Sequence, residues 1–443
     1  MILLNSRRRV GYNASMIRNS GHADLPLHTG TVPRWLADRM MMLGTLIVES
    51  LVYNFGPDEV LVRLSDPLWF QSFGAVMGMD WHSSGITTSV MYALKRGLNP
   101  RAKELGIYVC GGRGKYSRKT PEELSEISLA EGLDGDSLIR SSRLCAKIDN
   151  NAVQDGFQLY QHNFVVMKNG KWTVIQQGMN VSARTARRYH WCSDGLRSFV
   201  EEPHTGVVGE NSGLILNLTD GRAARTRDSI LELSRERPDR ILREIKSAAE
   251  QGVSALPDMN SAWRPEPVQA SLFPELESGT AFTDSGARHI KLPSHHEVTA
   301  QDVDLGRLGA VLATAYESQN TSFENLMLTK GLGPRTLQSL TLVSEVIYGT
   351  PSRFTDPARF SFAHGGKDGH PFPVPLKIYD ESIRVLHDSI EKSKLGYKDK
   401  SECIRRLHSA AVNIERNCSP AADFDAVIRH EKENSRQWDG RTV

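Results

Sequence analysis

The sequence predicts an α+β protein: an N-terminal mixed domain built around a central β-hairpin, joined by a linker to a mostly helical C-terminal domain. Three observations predict it. Asn169-Gly170 separates two β-rich runs, FQLYQHNFVVM and KWTVIQQGM, and is the residue pair most favoured in tight hairpin turns. Prolines, glycines and serines thicken from Gly252 to about His296 (ALPDMNSAW, RPEPVQ, LFPELESG), the composition of a connector. From Phe323 to Asp356, FENLMLTKGLGPRTLQSLTLVSEVIYGTPSRFTD sets apolar residues at helical spacing on both sides of a glycine turn. These signals divide the chain into a mixed unit over 21–218, a charged helical bridge and linker over 219–300, and a helical unit over 301–420.

A chain of 443 residues has room for cores of this number. Hydrophobic residues at 39% and charged residues at 24% belong to an ordinary soluble globular protein. The net charge of +2 means that any surface for nucleic acid is local, as in Arg184-Thr185-Ala186-Arg187-Arg188 or Arg113-Gly114-Lys115. Cys110, Cys145, Cys192, Cys403 and Cys418 are scattered, odd in number and form no C-x-x-C pair. That argues against a disulfide framework or a zinc knuckle, and fits a reducing cytoplasm. No apolar run is long enough to span a bilayer. The start, MILLNSRRRVGYNAS, places its apolar residues before the arginines, the reverse of a secretory signal, and reads as a flexible leader to about Ser20.

In chain order, Met40, Met41, Met42, Leu46, Ile47 and Leu51 predict a buried helix. A polar loop, Met77-Gly78-Met79-Asp80-Trp81-His82-Ser83-Ser84-Gly85, carries Asp80 and His82, a pair suited either to a metal or to a satisfied structural contact. A short strand, Ile107 to Cys110, leads to Gly111-Gly112-Arg113-Gly114-Lys115, where Arg113 and Lys115 suit a phosphate. The missing Lys-Ser/Thr excludes a Walker loop. With Asn169-Gly170 as a two-residue loop, Met167 faces Trp172, Phe164 faces Ile175, Asn163 faces Gln176 and His162 faces Gln177. The open end of this hairpin is polar on both faces. Asp149 and Asp155 lie just upstream, and Arg187-Arg188-Tyr189-His190-Trp191 just downstream. The irregular run RFSFAHGGKDGHPFPVP places His364, Lys367 and Asp368 on a loop.

At Gly331-Leu332-Gly333, followed by Pro334, backbone N–H groups stand unpaired at a helix start, beside Lys330 and Arg335. This stretch resembles a helix-hairpin-helix, the element with which many repair proteins, nucleases and polymerases grip a DNA backbone. The resemblance implies that Leu332 packs inward while Gly331, Gly333, Lys330 and Arg335 face a phosphate. The blocks ADLPLHTG, RLSDPLWFQ, MDWHSSG, AKIDNNAVQDGFQLYQH, VIQQGMN, ARRYHW and AHGGKDGHPFPV together resemble a domain-of-unknown-function family of archaea and bacteria, from about Gly21 onward.

The leading functional expectation is a nuclease that acts on DNA or structured nucleic acid and depends on Mn²⁺ or Mg²⁺. In it Asp80, His82, Asp149 and Asp155 hold the metal, His162 or His190 is base or ligand, Gln177 joins them as a catalytic residue, and Arg187 and Arg188 neutralise developing charge. The alternatives are a DNA glycosylase-like repair enzyme using Asp356, and a non-catalytic DNA-binding protein.

Overall fold

The computed structural model describes residues 25–26, 34–79, 84–209, 211–243, 305–358 and 376–417. Its centre is an antiparallel sheet in the order β1 (Leu25–Pro26), β6 (Thr185–Cys192), β5 (Trp172–Asn180), β4 (Gln158–Met167) and β2 (Ile107–Arg113), with β7 (Gly206–Val208) also paired to β6. A second, smaller sheet joins β3 (Val153–Gln154), β8 (Leu214–Asn217) and β9 (Phe354–Thr355).

Helices cover both faces of the main sheet, because its central strands are apolar on both. Val109, Val165, Met167 and Ile175 point toward α1 (Arg34–Phe55), α2 (Pro57–Ser65), α3 (Pro67–Met77) and α4 (Gly85–Leu98), a core that the short α5 (Ala102–Leu105) joins through Leu105. Phe164, Val166, Trp172, Val174 and Trp191 point the other way, toward α6 (Thr120–Glu131), α7 (Gly135–Lys147) and α8 (Ala224–Ser234). The helices after the predicted linker divide between the two cores. On the second face lie α9 (Leu305–Ser318), α10 (Phe323–Met327) and α11 (Pro334–Tyr348), while α12 (Leu376–Lys392) and α13 (Tyr397–Asn417) join the first.

Local chemistry sets the helix ends. Asp66 caps α3 by accepting from Leu68 N at 2.8 Å, with Pro67 in the first turn. Gly333 precedes Pro334 at the start of α11, and Gly349 (φ 62°) ends it in the left-handed conformation.

The hairpin forms where its sequence predicts, but its register differs by one residue. Gly170 (φ 80°) donates to Met167 O at 2.9 Å, and Met167 N donates to Lys171 O at 2.8 Å. The loop is therefore Lys168-Asn169-Gly170, the three-residue turn in which a left-handed glycine forms a bulge. Val166 faces Trp172, Phe164 faces Val174, Asn163 faces Ile175, His162 faces Gln176 and Gln161 faces Gln177. The slip moves Gln176 onto the face of His162 and sends Gln177 to the other. A second irregularity between Leu159 and Gln161 leaves Tyr160 outside the ladder.

Strand β2 runs past its apolar portion to Arg113, pairing Gly111 with Asn163 and Arg113 with Gln161. Gly111 (φ +81°) lies so close to the neighbouring strand that a Cβ there would stand 2.2 Å from His162 O. Both the positive φ and the backbone clash oppose a side chain. Gly111→Ala is expected to lower unfolding stability by about 2 kcal/mol or more, measured by urea titration; a change within about 0.5 kcal/mol would contradict this packing.

Candidate functional site

On one face of the sheet, α7 lays a serine against the hairpin. Asp134 caps this helix by accepting from Ser137 N at 3.0 Å. Ser141 turns its hydroxyl back to its own helix, donating to Ser137 O at 2.8 Å, whereas Ser142 Oγ meets His162 Nε2 at 2.9 Å. The other ring nitrogen, Nδ1, lies 2.7 Å from Gln176 Oε1. Gln176 Nε2 donates to Cys145 O at 3.0 Å and to Asp149 Oδ2, so its carbonyl end must face the imidazole. His162 therefore carries its proton on Nδ1, and Nε2 accepts the Ser142 proton. Burial holds the His162 pKa below its ordinary value, against the opposing pulls of Gln176 and the Asp149 charge.

Asp149 anchors this chain of hydrogen bonds from the π-helical turn Ile148–Ala152 that follows α7. It also accepts from Trp191 Nε1 at 2.9 Å and pairs with His204 Nε2 at 2.5 Å.

Ser142 and His162 line a cleft of about 250 Å³, together with Ser117, Arg118, Arg143 and Tyr160. Arg113 sits 5.7 Å above the Tyr160 ring. Arg113, Lys115, Arg118, Lys119 and Arg143 are exposed, and no ion pair among the described residues engages them.

The opposite face of the same strands carries a separate polar cluster. Arg188 donates to His190 Nε2 at 2.8 Å and to Gln71 Oε1 at 2.8 Å, and lies 4.8 Å over the Phe70 ring. Gln177 donates to Ser84 O at 3.0 Å and to Tyr160, and accepts from Thr87. Burial lowers Arg188 to about 9 and holds His190 well below its ordinary value. His190, Gln177 and Arg188 are thus not beside His162: strand alternation sends them through the sheet.

Arg187, on the His162 face, is wholly buried in an ion triad. Its Nη1 lies 2.8 Å from Asp155 Oδ2 and 2.9 Å from Asp356 Oδ1, and its Nη2 lies 2.9 Å from Asp356 Oδ2. Tyr189 OH and Phe157 N donate to Asp155 at 2.5 and 3.0 Å. Ser212 N and Ala358 N donate to Asp356 at 2.7 and 2.9 Å. Burial pushes Asp155 up to about 6, against the attraction of Arg187 and with added repulsion from Asp356.

Every carboxylate oxygen of Asp149 and Asp155 already accepts from a protein donor. Among the described residues no three His, Cys, Asp or Glu side chains gather as a metal would require. These donors do not fit a divalent cation in this arrangement. Asp80, His82, His364, Lys367 and Asp368 lie outside the described residues.

The glycine turn before α11 docks on the same helix that carries the cleft. Leu332 is buried, and its carbonyl accepts from Lys147 Nζ at 2.8 Å and Asn151 Nδ2 at 3.3 Å. Lys330, Gly331 and Arg335 are exposed and Gly333 is half-buried. From Ser142 to Lys147, α7 rises about 7.5 Å, so cleft and turn share one rigid support.

A family described as protein of unknown function (DUF763) matches residues 21–374. The chain belongs to that family. No curated protein and no solved structure matches it. The DUF763 span includes Ser142, His162, Gln176, Asp149, the Arg187 triad and the glycine turn, and ends before α12.

Two outcomes follow from this geometry. Asp356→Asn removes one partner from a buried charge cluster and is expected to cost about 3 kcal/mol, read from the urea midpoint. As pH falls, an unfolded chain protonates its histidines near their ordinary pKa of about 6.5, while buried His162 and His190 resist. Their contribution to stability is complete above that value and lost on the way down. Asp155, raised to about 6, acts with the opposite sign, losing stability as pH rises from about 3.9 toward 6. Nitrogen NMR above about pH 7 should show both rings neutral, with His162 protonated at Nδ1; a charged His162 there would refute the hydrogen-bond assignment.

Proposed function

We propose that this DUF763 protein binds nucleic acid and hydrolyses its phosphodiester backbone in the cleft floored by His162. The observation that carries the reading is a buried, Nδ1-protonated imidazole opening onto a cleft rimmed by exposed cations. A neutral imidazole at that place moves protons, and cations around it hold a polyanion. Arg118 and Arg143 contact the reacting phosphate, while Arg113, Lys115 and Lys119 extend the track along the rim.

The Gly331–Gly333 turn acts in this reading as a helix-hairpin-helix clamp. Its outward backbone, with Lys330 and Arg335, takes a second phosphate of the same strand. The inward packing of Leu332 supports that role. Arg187, Arg188, His190 and Gln177 brace the polar end of the sheet from inside. The buried ion triad around Asp356 gives no support to a glycosylase role for that residue.

Fluorescence anisotropy with labelled single-stranded and duplex oligonucleotides, titrated with KCl, tests binding, and gel analysis of the same oligonucleotides tests cleavage. Replacing Arg118 and Arg143 together by Ala is expected to weaken binding and flatten the log–log salt slope by about 1.5 to 2. Lys330→Ala with Arg335→Ala should act in the same direction. His162→Gln should lower the cleavage rate by about 10²-fold or more while binding persists. Binding without cleavage by the native chain would select the non-catalytic reading; absence of both removes the proposal.

A further inference from the structure

We propose that Ser142 is the nucleophile of this site, attacking phosphorus with His162 as its base. The inference rests on the phosphodiesterase reading above for its substrate, but its geometry is independent of it. Ser142 Oγ is 2.9 Å from a ring nitrogen whose only open role is to accept its proton. That role is imposed from behind. Gln176 is oriented by Asp149 and Cys145 O, and its carbonyl in turn holds the Nδ1 proton in place. The order serine, histidine, amide, carboxylate reproduces the logic of an activated nucleophile, with an oriented base and a charge behind it. Gln176 and Asp149 are positioning residues here, since neither lines the cleft.

The neighbouring serine supplies an internal contrast. Ser141 spends its hydroxyl proton on the preceding turn of α7, the common fate of a mid-helix serine. Ser142, one residue on, is turned instead to the imidazole and lines the cleft. Arg118 and Arg143 line the same cleft and are placed to neutralise the charge that builds on phosphorus-bound oxygens.

The chemistry balances in two displacements. In the first, the Ser142 Oγ–P bond forms, an ester P–O bond breaks, and the Ser142 proton passes through His162 Nε2 to the departing alkoxide. In the second, water attacks phosphorus, His162 takes its proton, the Oγ–P bond breaks, and the proton returns to Ser142. One water is consumed per phosphodiester cleaved, and no other reagent is needed.

The full-length protein is incubated with an alkyl phosphonofluoridate, which reports an activated serine by releasing fluoride and leaving a stable adduct. Peptide mass spectrometry locates the adduct. Native protein and Ser141→Ala should carry it on Ser142, and Ser142→Ala should carry none there or on Ser141. Gln176→Ala should label more slowly, with the acid limb of the rate moved to lower pH, because the hydrogen bond that raises the His162 pKa is gone. Ser142→Ala should also lose cleavage by about 10³-fold with oligonucleotide affinity kept. Failure of the native protein to form an adduct at Ser142 overturns the inference. So does cleavage by Ser142→Ala within about tenfold of native, which leaves the phosphodiesterase reading standing. An adduct on Ser142 in a protein that cleaves no oligonucleotide supports the nucleophile and removes the proposed substrate.

Discussion

The pairing of β4 with β5 is the constraint on which the rest of the molecule depends. Both faces of these strands are buried, so sliding one past the other by a residue would exchange Val174 and Ile175 between two cores and misplace every amide beyond them. The left-handed glycine at the turn sets the pairing, and the apolar halves of the strands enforce it. The consequence reaches the far end of the hairpin, where His162 and Gln176 share a face and make contact.

That far end is polar, and away from the cleft its side chains are closed to water. Gln161, Asn163, Gln176, Gln177, Arg187, Arg188 and His190 are each at most 2% exposed. Such groups are tolerated only with partners, and the partners are specific. Gln161 Nε2 donates to Asn163 Oδ1 at 2.7 Å and to Thr87 O at 3.2 Å. Two consecutive arginines illustrate two solutions. Arg187 is matched by two carboxylates, and Arg188 by an amide, a hydroxyl, an imidazole and an aromatic face. Neither arrangement maximises stability as an apolar core would; each ties distant segments into one geometry. Arg187 in particular ties β6 to Asp155 and Asp356, which lie far apart in the chain.

Much of this architecture is legible in the residues alone. The connector-like stretch from Gly252 to His296 lies outside the described residues, while the hairpin and the glycine turn announce themselves through local chemistry that needs no tertiary context. So does the anomaly of a strand pair whose end is all amides and imidazole. What escapes is anything set by one residue of register. Asn169-Gly170 is compatible with a two-residue or a three-residue loop, and the choice decides which glutamine His162 meets. Adjacent members of Arg187-Arg188-Tyr189-His190 look like one cluster in sequence, but the pleat distributes them to opposite sides. Ser142 carries no local signal at all. It sits in LIRSSRLCAK as an unremarkable helical serine, and its partner lies on a strand 20 positions away.

One core is completed by segments from both extremes of the described chain. Arg39 on α1 reaches Asp399 and Glu402 on α13 at 3.1 and 2.5 Å, and Glu49 takes Lys394 at 2.7 Å. A ribosome making this protein emits α1 through α4 long before α12 and α13 exist. Until residues 376–417 have left the exit tunnel, that side of the nascent sheet presents oily surface to solvent, and closing it requires the longest-range contacts among the described residues. Completion of this core is therefore gated by α12 and α13, and a chaperone that shields one flank of an unfinished sheet is the form of assistance it calls for.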